Sequence, residues 1–348
     1  MLLRLRWVMI IGPATFCFAM AQQENWPVIQ PDQARLVLTL GNLGQPTLGV
    51  QAFPERGIVL TLTERGSLQQ WTAAQLYGVH VSETNPAWYL DIPSQLTAAK
   101  PCPDYQVILG AIDGKLYIVR LSEGKILGSS EGHPSPIRAL SNCGSPWIAS
   151  GGEDGQVVVW DWTSLKPRAK WAAHRDWISA LALDERAKQL ASAGYDGTIC
   201  LWHLENGQKL REFPLYPAQK SPPSDAVVTP PIVVCLAFSP DGKLLAGGSL
   251  DGNIRLWDVT SGGLLHILTG HSSQVTSLVF HPAGQILVTA SRDRTIRLWN
   301  VVNGQLLRVL DGHQSWVMAL ALVERGTRLV SASMDGTLRI WDLRAPPK

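Results

Sequence analysis

The stretches ILVTASRDRTIRLWN (residues 286–300) and RLVSASMDGTLRIWD (residues 328–342) write one pattern twice. Each sets two apolar, β-branched runs around a tight polar turn, the sequence signal of a hairpin. The turns hold Asp293 and Asp335, and a Trp follows each six positions later, Trp299 and Trp341. The same spacing recurs upstream at Asp154 and Trp160, Asp196 and Trp202, and Asp251 and Trp257. The intervals between successive Trp of this set are 42, 55, 42 and 42, so one unit carries an excess of 13. Self-similarity at a fixed period of this size marks one repeat architecture rather than a string of unrelated domains.

A His precedes four of these Asp residues by 21 or 22 positions: His133, His174, His271 and His313. Four positions before each of the same Asp residues stands a hydroxyl: Ser150, Ser192, Thr289 and Ser331. The Asp251 unit is an internal control, because it has no His at the expected place and Gly247 stands at the hydroxyl position. His and hydroxyl vanish together. This coupling predicts four buried chains of indole, hydroxyl, imidazole and carboxylate, in which each polar group satisfies the next.

The pattern Gly-His, an Asp turn, then Trp-Asp resembles the WD-repeat family of β-propellers, over residues 35 to 344. The resemblance implies an all-β fold, a seven-bladed β-propeller of four-stranded antiparallel blades. Two degenerate units precede the five clear ones: LTERGSLQQW, ending at Trp71 with Arg65 in the Asp position, and AIDGKLYIVRL, which keeps Asp113 but has Val119 in place of Trp. The last unit ends at its third strand, so Arg35–Leu40 (RLVLTL) is expected to supply the fourth and remove an open edge.

Residues 1–21 read as a secretory signal peptide: Arg4 and Arg6, an apolar run from Trp7 to Ala19, then Ala19-Met20-Ala21. The run is shorter than the roughly 20 apolar residues of a spanning helix. Cleavage before Gln22 would leave 28 basic and 28 acidic side chains and a lead at residues 22–34. That balance argues against nucleic acid, which needs a basic face, and no second apolar run would span a membrane after signal removal. The expected protein is an exported monomer, periplasmic or extracellular, and bacterial, since no Asn-x-Ser/Thr acceptor occurs; the alternative is an N-terminally anchored chain. Residues 345–348 form a short tail.

The His residues are read as structural rather than metal ligands, because ligands must converge and these belong to different units. The Ser-His-Asp sets resemble hydrolase triads, but they recur four times without a Gly-x-Ser-x-Gly elbow, so no catalytic residue, metal or cofactor is expected. Cys102 and Cys143 stand at matching points of adjacent units, each the same interval ahead of its Asp, Asp113 and Asp154. They form either an inter-blade disulfide or two unlinked small turn residues; Cys200 and Cys235 are expected to be free thiols. The excess falls in an insertion at 214–231 that holds six Pro. In the family this insertion and the Asp turns share one end of the ring. Trp177 and Trp316, three positions after their His, and Tyr195 and Met334, just before their Asp, put apolar and aromatic side chains at that end. Two functions stay open: a noncatalytic scaffold that binds a protein or peptide partner there, and an exported enzyme or small-ligand receptor that uses the channel mouth.

Overall fold

The computed structural model describes residues 35–40, 47–53, 58–63, 68–72, 88–90, 93–102, 106–141, 147–184, 186–216 and 231–344. The signal segment, the lead, Cys143, Arg65, residues 217–230 of the insertion and the tail lie outside these residues. The strands pair into four-stranded antiparallel sheets, of which the order β22 (Val275–Phe280), β23 (Ile286–Ser291), β24 (Ile296–Asn300) and β25 (Leu306–Leu310) is typical. Other sheets repeat this order from their own innermost strands: β2 (Thr47–Phe53), β6 (Leu96–Cys102), β10 (Ile137–Leu140), β14 (Ile178–Asp184) and β18 (Val233–Phe238). One sheet differs in its makeup. There β26 (Val317–Val323), β27 (Arg328–Ser333) and β28 (Leu338–Asp342) are completed by β1 (Arg35–Leu40), antiparallel to β28 with Leu40 opposite Leu338. The innermost strands touch in sequence order, and β26 returns to β2, so the sheets close into a ring. Because β1 covers β28, the last sheet does not end on the strand that carries Trp341.

Burial follows strand position. β23 is buried along nearly its whole length, whereas the outer strand β25 is mostly exposed. The apolar clusters are the seams between neighbouring sheets: Val279, Val288 and Leu298 of one sheet pack with Leu320, Leu329 and Trp341 of the next. A radial array of sheets has no single centre to bury, so each seam is its own core.

A β-bulge near the start of the innermost strands throws one residue out of register, between Ile137 and Ala139, between Ile178 and Ala180, and between Val275 and Ser277. The bulge re-aims the extra side chain toward the next sheet. Ser179 Oγ donates to Ala193 O in its own sheet and to Val233 O in the neighbour, Thr97 bridges Gly110 O and Ile137 O, and Thr276 reaches Val317 O. These hydroxyls tie successive innermost strands around the ring.

Candidate functional site

The coupled residues meet in the described sheets. In the β10 sheet the Trp160 indole N–H donates to Ser150 Oγ at 2.8 Å, Ser150 Oγ lies 2.8 Å from His133 Nε2, and His133 Nδ1 is 3.1 Å from Asp154 Oδ1. The three other sets have the same geometry: Trp202, Ser192, His174 and Asp196; Trp299, Thr289, His271 and Asp293; Trp341, Ser331, His313 and Asp335. A carboxylate only accepts, so Nδ1 carries the proton and Nε2 accepts from the hydroxyl, which in turn accepts from the indole. Each chain therefore runs one way, from the indole to the carboxylate. Burial lowers the pKa of His133, His174 and His313 and outweighs the opposing pull of the facing carboxylate. The Asp carboxyl is pushed up by burial, but hydrogen bonds from Thr337, the Gln314 backbone and His313 overcome this and hold Asp335 at about 2.

This arrangement of hydroxyl, imidazole and carboxylate is that of a hydrolase triad, yet it cannot act as one. Ser150, Ser192, Thr289 and Ser331 have no exposed surface, and an indole N–H occupies a lone pair of each oxygen. No substrate carbonyl can reach them. What the chains do is mechanical: in three units the Asp also accepts a backbone N–H from the residue after the His, Arg175, Ser272 or Gln314, and so locks the connecting loop onto the hairpin turn.

Two units whose Asp turn is described lack the His, and in both the Asp is bound instead by a side chain that sequence reasoning passed over. Four positions after the Asp, the Arg255 guanidinium folds back to Asp251 Oδ2 at 2.9 Å and to Ser249 Oγ at 2.9 Å. Its Nε donates to Leu215 O and the Trp257 indole donates to Pro214 O, so the stem of the Pro-rich insertion supplies the missing acceptors. In the β6 sheet Tyr117, again four after its Asp, donates its hydroxyl to Asp113 Oδ2 at 2.6 Å, and burial with this carboxylate pushes the phenol up to about 12.

The turn end of the ring carries a rim of equivalent positions. The residue before each described Asp donates its backbone N–H to the residue that opens the unit: Ile112 to Gln95, Glu153 to Pro136, Tyr195 to Trp177, Leu250 to Ile232, Arg292 to Gln274, Met334 to Trp316. Trp177, Tyr195 and Trp316 are 43, 40 and 42 % exposed, and Leu250 joins them; Met334 is half-buried and contributes less open surface than its neighbours. Trp177 and Tyr195 pack edge to face with ring centres 5.9 Å apart. Arg138, thrown outward by the bulge of its strand, stacks over Trp177 at 5.5 Å and pairs with Glu153 at 2.5 Å, while Arg292 covers Trp316 at 4.3 Å. The stacked cations fix aromatic rings that stay open to solvent.

Among the described residues no three His, Cys, Asp or Glu side chains converge as a metal site would require. Cys102 is disulfide-bonded, whereas Cys200 and Cys235 are free and buried, with desolvation pushing the Cys235 thiol up to about 12. No helix among the described residues is long and apolar enough to cross a membrane.

Sheets ringed around an axis, each described turn locked by a Trp to Asp chain or its substitute, define a β-propeller of WD-type units. The chain belongs to the family of the WD domain, G-beta repeat, which matches residues 124–161, 165–203, 229–258, 262–300 and 304–342. Four of these matches begin with the outer strand of one sheet and end in the third strand of the next, so the repeat in sequence is offset from the sheet in space and such a unit staples two sheets together; the match at 229–258 starts within the insertion instead. Among known proteins, the chain is 28% identical to rat apoptotic protease-activating factor 1 over 46% of its own length and 15% of that protein's. It is 33% identical to the rice small ribosomal subunit protein RACK1y over 38% of its length and 36% of that protein's. It is 34% identical to Arabidopsis thaliana autophagy-related protein 16 over 35% of its length and 21% of that protein's. The matches thus span well under two thirds of these relatives. All three are eukaryotic, which gives the expectation of a bacterial protein no support.

Proposed function

We propose that the ring is a noncatalytic scaffold that holds a protein or peptide partner on the rim formed by Trp177, Tyr195, Leu250 and Trp316. The observation that carries this reading is the contrast between two sets of Trp residues: those of the chains are buried with their N–H groups spent, while Trp177 and Trp316 are exposed and braced by Arg138 and Arg292. Large rigid aromatic surfaces held open to solvent bind at low entropic cost. Membership of the WD-repeat family and the sealed hydroxyls support a noncatalytic role. The test is affinity capture of partners by the intact protein and by Trp177→Ala and Trp316→Ala variants whose melting shows them folded. Loss of the same captured protein from both variants is expected; full retention refutes the rim.

We also propose that the ring counts seven blades, the β2 and β6 sheets being the two degenerate units; the seam that carries β26 back to β2 supports this count. Export, with residues 1–21 removed, and Cys143 as the partner of Cys102 belong to the same proposal. The disulfide at Cys102 supports an oxidising compartment. Intact mass of the secreted chain and non-reducing peptide mapping test both: a full-length cytosolic chain rejects export, and a bridge from Cys102 to Cys17 rejects the pairing.

A further inference from the structure

The rim positions that precede each Asp are Glu153, Tyr195, Leu250, Arg292 and Met334 in the units from β10 onward. One is acidic, and its carboxylate is spent on Arg138. One is basic, and it is not spent. Arg292 makes no ion pair with any described residue, and its Nε is buried without an acceptor while the guanidinium lies 4.3 Å over the Trp316 ring. Two positions on stands Arg294, exposed and also without an ion pair among the described residues. The corresponding residue is Gly114, Gly155, Gly197, Gly252 and Gly336 in the other units, all at φ between 69 and 80°. Arg294 adopts the same left-handed backbone, φ 73°, which a side chain with a Cβ disfavours. Asp293, between the two, is turned inward onto His271 with 4 % of its side chain exposed. The turn Arg292-Asp293-Arg294 thus turns its anion into the fold and leaves one cation, Arg294, exposed and the other, Arg292, half-buried over an aromatic ring.

We infer that this turn is the seat for an acidic peptide segment, whose carboxylates engage Arg292 and Arg294 while a neighbouring apolar side chain packs on the open face of Trp316. The inference rests on the rim being the partner surface and names the chemistry of what it takes. A guanidinium fixed on a ring loses little freedom when it pairs with a carboxylate. The acids of the two neighbouring turns face away from it: Asp251 is paired with Arg255, and Asp335, with 8 % of its side chain exposed, is turned inward onto His313. Trp177, Tyr195 and Leu250 continue the surface over the two preceding sheets, so an extended chain that crosses the turn meets apolar contacts on both sides.

The probe is a short fluorescein-labelled peptide of Glu and Leu, compared with the same peptide carrying Gln for Glu, Lys for Glu, or phosphoserine for Glu, by fluorescence anisotropy with the intact protein. The Glu peptide should bind at least tenfold more tightly than the Gln and Lys peptides and weaken as salt rises. Arg292→Gln and Arg294→Gly should each weaken it about fivefold or more, and Arg294→Gly should do so while raising the melting temperature, since Gly relieves the turn. Equal affinity for the Glu and Gln peptides, or affinity unchanged in both Arg variants, overturns the acidic seat. A phosphoserine peptide bound tenfold more tightly than the Glu peptide overturns the choice of carboxylate. If the acid preference is absent while Trp177→Ala and Trp316→Ala still abolish partner capture, the seat fails and the rim stands; if capture also survives in those variants, both fail.

Discussion

Replacing His271 by Ala cuts one locking chain in the middle. The imidazole is fully enclosed, with Nδ1 2.7 Å from Asp293 Oδ2 and Nε2 2.9 Å from Thr289 Oγ1. Thr289 can turn its hydroxyl toward Arg297 O, so its loss is small. Asp293 keeps the N–H groups of Ser272 and Thr295 and the Thr295 hydroxyl but loses a short, charge-assisted bond while only 4 % of its side chain reaches solvent. That loss is worth about 1.5–3 kcal/mol, and the cavity left by the ring adds roughly 1 kcal/mol. The sum is about 2.5–4 kcal/mol, a fall in Tm of roughly 3–6 °C for a chain of this size. His203→Ala is the control: that ring is half-buried and accepts one long bond, 3.4 Å, from the Glu205 N–H, so its loss should stay under about 1 kcal/mol. Urea unfolding followed by near-UV circular dichroism measures both. Equal midpoints for the two variants would refute the buried-chain argument.

The unit without a His should depend on Arg255 in the same way. Arg255→Ala strips Asp251 and Leu215 O of their partner and should cost about 2–3 kcal/mol, less than for a sealed pair because Asp251 is one-third exposed, and an unchanged midpoint would reject the substitution of Arg for His. Stability should fall on the acid side. His281 is enclosed with an unpartnered Nε2 and is lowered by burial from 6.5 to about 4, so the fold prefers its neutral form, and stability present above pH 6.5 is lost as pH drops toward 4, by about 3 kcal/mol. His281→Asn keeps an acceptor for the Ala283 N–H but cannot titrate, so its melting temperature should fall less between pH 7 and 4, and an identical slope would exclude His281 as the source. Deleting Arg35–Leu40 removes the partner of β28 and exposes the strand that carries Trp341, so it should destabilise the whole ring, whereas deleting Gln22–Val28 leaves β1 intact; equal melting of the two truncations would contradict closure by that strand.

What the sequence made legible is whatever recurs with the period of the repeat. Trp299, Thr289, His271 and Asp293 were readable because three other units hold the same types at the same spacing, and the Asp251 unit lost two of them at once. The substitutes were not readable. Tyr117 and Arg255 stand four positions after their Asp, but Arg297 and Arg339 hold that position in units that keep the His, and there the guanidinium lies along the backbone of Gly270 or Gly312 instead. Residue type at that place does not fix its direction; an empty imidazole slot does. The carbonyls of Pro214 and Leu215 have no side-chain signal at all. On the rim, the Trp and Tyr positions were visible from composition, but Arg138 was not, because only the bulge in β10 turns it onto Trp177.

The most direct measurement of the rim is site-specific photo-crosslinking. A benzophenone amino acid placed at Tyr195, on the rim, or at Val302, 74 % exposed away from it, is irradiated in the intact protein with its captured partner present. The scaffold account predicts a covalent adduct from position 195 and none from 302. An adduct at 302 with none at 195 would contradict it.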